Sequence, residues 1–189
     1  MGKQAVNATH YECIEAVPGR HKLKDRIVNA IIETPKGSYH KYALEPAYGT
    51  IAFQAVLPDG LRWPYDFGFV PQTLAPDGDP VDMLLLTEHG LPFGCLIETR
   101  VLGVVREVKD DVENDRLIGA PRPSPGAPQA TDAYRDLGDI PADRIAEITD
   151  FLAKYSRDQG HAIRIRAVDD GREAMKTISR CRKVFKKHG

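Results

Sequence analysis

The chain has 189 residues, 42% hydrophobic and 28% charged, an ordinary globular mixture long enough for one domain with a real core. Its formal net charge of −1 at pH 7 supplies no global field to draw it to nucleic acid or a membrane surface, so any bound anion must be attracted locally. Cys13, Cys95 and Cys181 are odd in number and far apart, with no CxxC pair, which argues against a disulfide framework or a zinc cluster and fits a reducing cytoplasm.

The N-terminal stretch MGKQAVNATHYECIEAVPGRHK lacks the apolar run of a secretory signal. No segment approaches the roughly 20 apolar residues of a membrane span. Residues 1–24 are expected to form an arm, with a strand near Tyr11 to Ala16. Arg26 to Thr34 is rich in Ile and Val and predicts a strand. Pro35-Lys36-Gly37-Ser38 turns the chain into strands over Tyr39 to Leu44 and Gly49 to Val56, and Leu57-Pro58-Asp59-Gly60 turns it again.

Arg62 to Thr73 mixes aromatics with Pro and Gly and is expected to be packed but irregular. Val81 to Thr87, Gly94 to Val108 and Leu117 to Ala120 predict three further strands. Residues 121–138, rich in Pro, Ala, Ser and Gly, predict a surface loop. A helix follows from Pro141 to about Gln159, with Ile145, Ile148, Phe151, Leu152 and Tyr155 on one face and Gly160 as its stop. His161 to Val168 alternates as a strand. A last helix spans Gly171 to Lys187, with Ala174, Ile178, Cys181 and Phe185 as its stripe. Many short strands followed by two late helices argue for a single mainly β, α+β domain over 1–189: a small barrel or curled sheet with helices outside. Periodicity does not order the strands.

The segment with most chemical content is Asp77-Gly78-Asp79-Pro80-Val81-Asp82, three carboxylates within six residues, ahead of Met83-Leu84-Leu85-Leu86. Gly78 permits a tight turn and Pro80 stiffens it, so the acids can converge, and the apolar run anchors the turn to a core. Like charges this close repel unless a cation neutralises them, and hard oxygen ligands suit Mg²⁺ or Mn²⁺. A solvated acidic turn is the plain alternative. An EF-hand is excluded, because Val81 stands at a ligand position and Asp82 at the glycine position.

DGDPVDMLLL resembles the signature of family I soluble inorganic pyrophosphatases. Ile32-Glu33-Thr34-Pro35 with Lys41-Tyr42 is similar to that family's strand bearing a Glu and a Lys. Trp63-Pro64-Tyr65-Asp66-Phe67-Gly68-Phe69-Val70 is similar to its aromatic segment. Gly103-Val104-Val105, the acids after it, and the helix ending near Tyr155 keep the same order. The resemblance runs from about Ile27 to Tyr155. It implies a five-stranded closed, OB-like barrel with flanking helices, Mg²⁺-dependent hydrolysis of pyrophosphate to two phosphates, and a homo-oligomer, hexameric in bacterial members. Metal-bound water loses a proton readily and becomes the nucleophile. The family's pattern gives the base to Asp79 and the metal to Asp77 and Asp82, with Glu33, Lys41 and Tyr155 as further catalytic residues and Lys41 and Tyr155 on the substrate, where Arg116 is expected to stand in for a lysine.

In the second acidic cluster, Lys109-Asp110-Asp111-Val112-Glu113-Asn114-Asp115-Arg116, a gapless alignment puts Lys109 and Asn114 on two metal-binding aspartates and Arg116 on a lysine. A slide by one residue puts Asp110 and Asp115 there instead. The second register is preferred because it keeps a metal cage opposite Asp77 and Asp82. Other family positions are changed: a Glu falls at Ala43, an Arg at Ala55, two tyrosines at Trp63 and Phe67, and a Lys at Ser156. Arg62, Arg157 and Arg116 are candidate replacements, since Arg clamps phosphate bidentately. Three readings follow. One is a pyrophosphatase with a remodelled phosphate pocket. Another is a related hydrolase whose substrate carries an organic part stacked on Trp63 and Phe67. The last is a non-catalytic homologue that binds metal or phosphate. The basic tail Arg180 to Lys187 is read as a solvated helix face rather than a nucleic-acid patch.

Overall fold

The computed structural model describes residues 10–123, 126 and 130–188. The first nine residues of the expected arm, and 124, 125 and 127–129 of the Pro-rich loop, lie outside the described residues. In chain order the strands are β1 (Ile27–Thr34), β2 (His40–Glu45), β3 (Thr50–Val56), β4 (Asp66–Val70), β5 (Val81–Leu85), β6 (Leu96–Lys109), β7 (Val112–Glu113) and β8 (Arg116–Pro121). Helix α1 (Ala142–Asp158), strand β9 (Ile163–Asp170) and helix α2 (Gly171–His188) follow.

Neighbouring strands run β1-β4-β5-β8-β6, and β6 pairs again with β1, closing a five-stranded barrel. β5 and β8 are parallel and the other barrel pairs antiparallel. Closure leaves no open edge among these five strands. β2 and β3 form a separate hairpin sheet, while β7 and β9 extend β6.

Period-two alternation divides the apolar residues between two clusters. Val28, Ala30, Ile32, Met83 and Leu85 pack with Ala174, Met175, Ile178 and Cys181 of α2. Leu84, Leu86, Leu102 and Val105 pack with Trp63, Phe67 and the α1 residues Ile148, Phe151 and Leu152. β1 is buried over all eight residues, which explains its near-continuous apolar run. Gly68 is required where β4 crosses β1, because a Cβ there would lie 1.9 Å from the Ile31 carbonyl oxygen.

Two expectations are corrected. Tyr11 to Ala16 forms no strand, and His10–Cys13 is a 3₁₀ turn. The segment expected to be irregular, Arg62 to Thr73, contains β4, a barrel strand buried at all five residues. A strand covered on both faces shows no alternation, so its aromatic and glycine content hid it. The expected loop carries short 3₁₀ turns at Ala130–Ala133 and Leu137–Asp139. Among the described residues no helix is long and apolar enough to cross a membrane.

Candidate active site

The acidic turn joins β4 to β5. Gly78 has φ +94°, the left-handed conformation a side chain resists. The amide of Ala75 donates to the Asp79 carbonyl at 2.8 Å, and the Asp79 amide donates to Asp77 Oδ1 at 3.2 Å. Buried Thr73 clamps the base of the turn: its hydroxyl donates to the Val70 carbonyl at 2.5 Å and accepts from the Val81 amide at 2.9 Å. Asp82 then falls at the start of β5.

Arg116 meets Asp82 because of register. β5 and β8 run parallel with Met83 opposite Leu117, so Asp82 and Arg116 occupy the preceding rung. Arg116 Nη1 lies 2.5 Å from Asp82 Oδ2, also donates to Asn114 Oδ1, and sits 5.9 Å above the Phe67 ring. Glu33 comes in from the end of β1, only 5% exposed. Its Oε1 accepts from the Leu44 amide at 2.6 Å, tying it to β2, the strand that carries Lys41.

The electrostatics of these groups are shared. Burial, then Asp82, push Glu33 up to about 8, against the pull of the Leu44 amide and Lys41. Burial raises Asp82, opposed by Arg116 and Lys41. Burial and Asp77 raise Asp79, opposed by Lys41, Arg116 and Lys109. Burial, Lys41 and Arg116 push Lys109 down. Glu33, Lys41, Asp77, Asp79, Asp82 and Arg116 therefore lie close enough to act on one another.

Asp110 and Asp115 do not join them, which corrects the preferred register. Lys109 and Val112 pair across a two-residue hairpin, and both linking residues, Asp110 and Asp111, have positive φ, as a type I′ turn requires. That turn points Asp110 at β9: its Oδ2 lies 2.6 Å from His161 Nδ1 and its Oδ1 accepts from the Ala162 amide at 2.9 Å. Asp115 lies 2.5 Å from Arg106 Nη1 and accepts from Thr177 Oγ1 of α2 at 3.3 Å. The gapless alignment describes the fold better, with Lys109, Asn114 and Arg116 toward the acids.

One other expectation changes. Trp63 and Phe67 are 2% and 4% exposed in the second core cluster, so no substrate stacks on them. Tyr155 packs 5.2 Å from Trp63 and stacks on Phe151; its observed contacts are to this aromatic group. Arg62 lies over the Tyr39 ring, 4.2 Å away, and Arg157 is exposed on α1, leaving Arg116 as the replacement cation among the acids.

Sequence reasoning missed Glu107. It is 1% exposed on β6, with neither carboxylate oxygen hydrogen-bonded. Burial raises its pKa; Arg116 opposes this and Asp82 reinforces it. The available signal was an acid just past the apolar run Val101 to Val105 of β6, two residues before Lys109 and hence on its face. The cleft thus gathers five carboxylates, Glu33, Asp77, Asp79, Asp82 and Glu107, around three cations, Lys41, Lys109 and Arg116. Among the described residues no three His, Cys, Asp or Glu side chains are placed to hold a metal ion together.

Residues 30–186 match the family model for inorganic pyrophosphatase. The inorganic pyrophosphatase of Geobacillus stearothermophilus is 34% identical over 159 residues, 84% of this chain and 94% of that protein. That of Thermus thermophilus is 32% identical over 158 residues, 82% of this chain and 88% of that protein. An inorganic pyrophosphatase structure from Neisseria gonorrhoeae superposes with a TM-score of 0.84 at 28% identity, covering 93% of this chain and 99% of that one. The Thermus thermophilus structure gives 0.79 at 31% identity, covering 91% and 98%. The family model covers most of the chain, and the chain belongs to the inorganic pyrophosphatase family.

Proposed function

We propose that the chain hydrolyses inorganic pyrophosphate to two phosphates in the cleft between the 77–82 turn, β1, β2 and the β6–β8 hairpin. The observation carrying this reading is the convergence of Asp79, Lys41 and Arg116, electrostatically coupled, within a family frame. Lys41, Lys109 and Arg116 neutralise the phosphoryl oxygens. Asp79 accepts a proton from the attacking water as the water oxygen bonds to phosphorus. The bridging oxygen leaves with the second phosphate. Glu33, holding its proton to about pH 8, is a neutral donor at physiological pH, suited to a leaving phosphate.

The family is metal-dependent, and Mg²⁺, with Mn²⁺ as the alternate, is the ion this reading carries. The residues here do not fit a ready metal cage. Asp82 is held by Arg116 of β8, and Lys109 of β6 stands close to Arg116 and Lys41. The reading also carries a homo-oligomer, hexameric as in bacterial members, in the cytoplasm. Exposed Tyr48, Phe53, Phe93 and Leu96 supply apolar surface for contacts between copies, and the sedimentation coefficient tests this.

The deciding experiment is phosphate release from pyrophosphate with Mg²⁺, for the native chain and for Asp79→Asn. Release that falls by about 10²-fold or more in the variant supports the reading, the range expected for losing a positioned base. A folded native chain that releases no phosphate overturns it. The Arg116–Asp82 ion pair favours one second reading, a homologue that binds phosphate without turnover. Calorimetric binding of pyrophosphate by a chain that does not hydrolyse it would identify that case.

A further inference from the structure

A cavity of about 590 Å³ lies between the 3₁₀ turn Leu23–Asp25 and α2, and its lining shares no residue with the cleft. Lys24 and Arg26 line it on one side. Arg172, Met175, Lys176 and Ser179 line it on the other, and their spacing puts them on one face of α2. Among the described residues of its lining, four are cations and one, Asp136, is an acid. That acid is already engaged: Oδ2 accepts from Arg26 Nη1 at 2.7 Å, and Oδ1 accepts from the Leu137 amide at 2.8 Å and the Gly171 amide at 3.2 Å. Arg26 is seated over the start of α2, where a Cβ on Gly171 would lie 2.6 Å from its Nη1; the glycine makes room for the guanidinium. Lys176 pairs with Glu173 of its own helix at 2.6 Å. The side chains of Lys24 and Arg172 have no acceptor among the described residues, which leaves a surplus of positive charge on the cavity. The excess extends to Arg100 nearby, whose pKa is lowered by burial and then by Arg135 and Arg26.

We propose that this cavity binds a nucleotide, with its phosphates on Lys24 and Arg172 and its base on Leu23 and Met175. The Arg fork takes phosphoryl oxygens in pairs, and a lysine adds a point charge beside it. The floor is apolar, with Leu23 37% exposed and Met175 8%. A flexible thioether beside a leucine suits an aromatic ring, and the Ser179 hydroxyl on the same helix face offers a donor and acceptor to the ring's polar edge. A bare pyrophosphate would leave that floor uncovered, so the organic part distinguishes this ligand from the substrate of the cleft. The site does not depend on hydrolysis in the cleft.

Calorimetric titration with adenosine triphosphate in the presence of a chelator tests it on three proteins. These are the native chain, Lys24→Gln combined with Arg172→Gln, and Lys41→Met as a change confined to the cleft. The native chain is expected to bind. The double variant is expected to bind about tenfold or more weakly, the effect of losing two charge-assisted contacts. Both replaced side chains are exposed, so its thermal melting and its phosphate release from pyrophosphate should match native. Lys41→Met is expected to bind the nucleotide as native does. Inorganic triphosphate is expected to bind native about tenfold more weakly than adenosine triphosphate, because it leaves the apolar floor uncovered. Equal binding of the two ligands overturns the assignment of Leu23 and Met175. Binding lost in Lys41→Met and kept in the double variant places the nucleotide in the cleft and overturns the site. Absence of adenosine triphosphate binding to the native chain overturns the proposal outright and leaves the reading of the cleft untouched.

Discussion

Two charged networks share β6 and the start of β8, and they are built in opposite ways. Under α2, Arg106 donates to Asp115 at 2.5 Å, to Asp169 at 2.8 Å and to Thr177 at 2.7 Å. Its charge is held by well-placed acceptors, and burial is outweighed by these acids in raising its pKa. In the cleft, five carboxylates face three cations, Glu33 is driven up to about 8, and Glu107 has no partner for either oxygen. A satisfied network fixes geometry, whereas an unsatisfied one stores free energy that a ligand can release. The difference separates the acids that hold α2 to the barrel from those left without a full set of partners.

The largest expected effect sharpens this contrast through pH. In the folded chain Glu33 keeps its proton from its ordinary 4.5 up to about 8, while the unfolded chain releases it near 4.5. Between these values the folded state binds more protons, so stability falls as pH rises and levels off above about 8. The shift is worth roughly 3–5 kcal/mol over the window, since one unit is about 1.4 kcal/mol. Glu33→Gln removes this titration. Urea unfolding between pH 5 and pH 8, as round figures bracketing the window, should show the variant losing about 3 kcal/mol less than native. Equal slopes would mean that the burial of Glu33 is relieved by water or by an ion.

The same substitution placed in each network should then break different properties. Lys41→Met removes a cation that stabilises Asp79, Asp82 and Glu33. Phosphate release should fall by about 10²–10³, the usual result of losing a donor to developing charge. Arg106→Met leaves Asp115, whose side chain is 11% exposed, without its main partner. Unfolding free energy should drop by about 2–3 kcal/mol, below the full value for a buried pair because Arg106 is partly solvated. Phosphate release per folded molecule should stay within about twofold, because Asp115 acts on Glu107, at the border of the two networks, rather than on Lys41 or Asp79. A comparable fall in activity from both variants would merge the two networks into one.

The legibility of these features in the sequence followed how locally each was determined. The turn at 77–82 was readable because Gly78, Pro80 and the following apolar run act within a few residues. Helices α1 and α2 were readable from their stripes. β4 was hidden because burial on both faces erases alternation, and the barrel's strand order depends on pairings far apart in sequence. The hairpin tip misled for a specific reason. Asp110 and Asp115 have the spacing of a cage, but a two-residue turn at Asp110 and Asp111 requires positive φ at both, and this sends Asp110 toward β9. Asp115 was claimed by Arg106, which adjacency in sequence does not reveal. Glu107 was not legible because Arg106 beside it has the look of an ordinary surface ion pair, whereas the fold buries Glu107 with neither oxygen bonded.

The smallest expected effect is the sharpest test of that correction. Asp110→Asn keeps a residue type that tolerates positive φ and keeps an oxygen for the Ala162 amide, so the hairpin should survive with only a charge removed. A lost metal contact costs about 10–100-fold in affinity even when it lies behind the ligands. With Asp110 turned to His161 at 2.6 Å, the Mg²⁺ concentration that half-saturates phosphate release should change by less than about twofold, well under that cost. A shift of about tenfold or more would return Asp110 to the site. It would also mean that the tip of the β6–β7 hairpin reverses its side chains when the cleft is loaded.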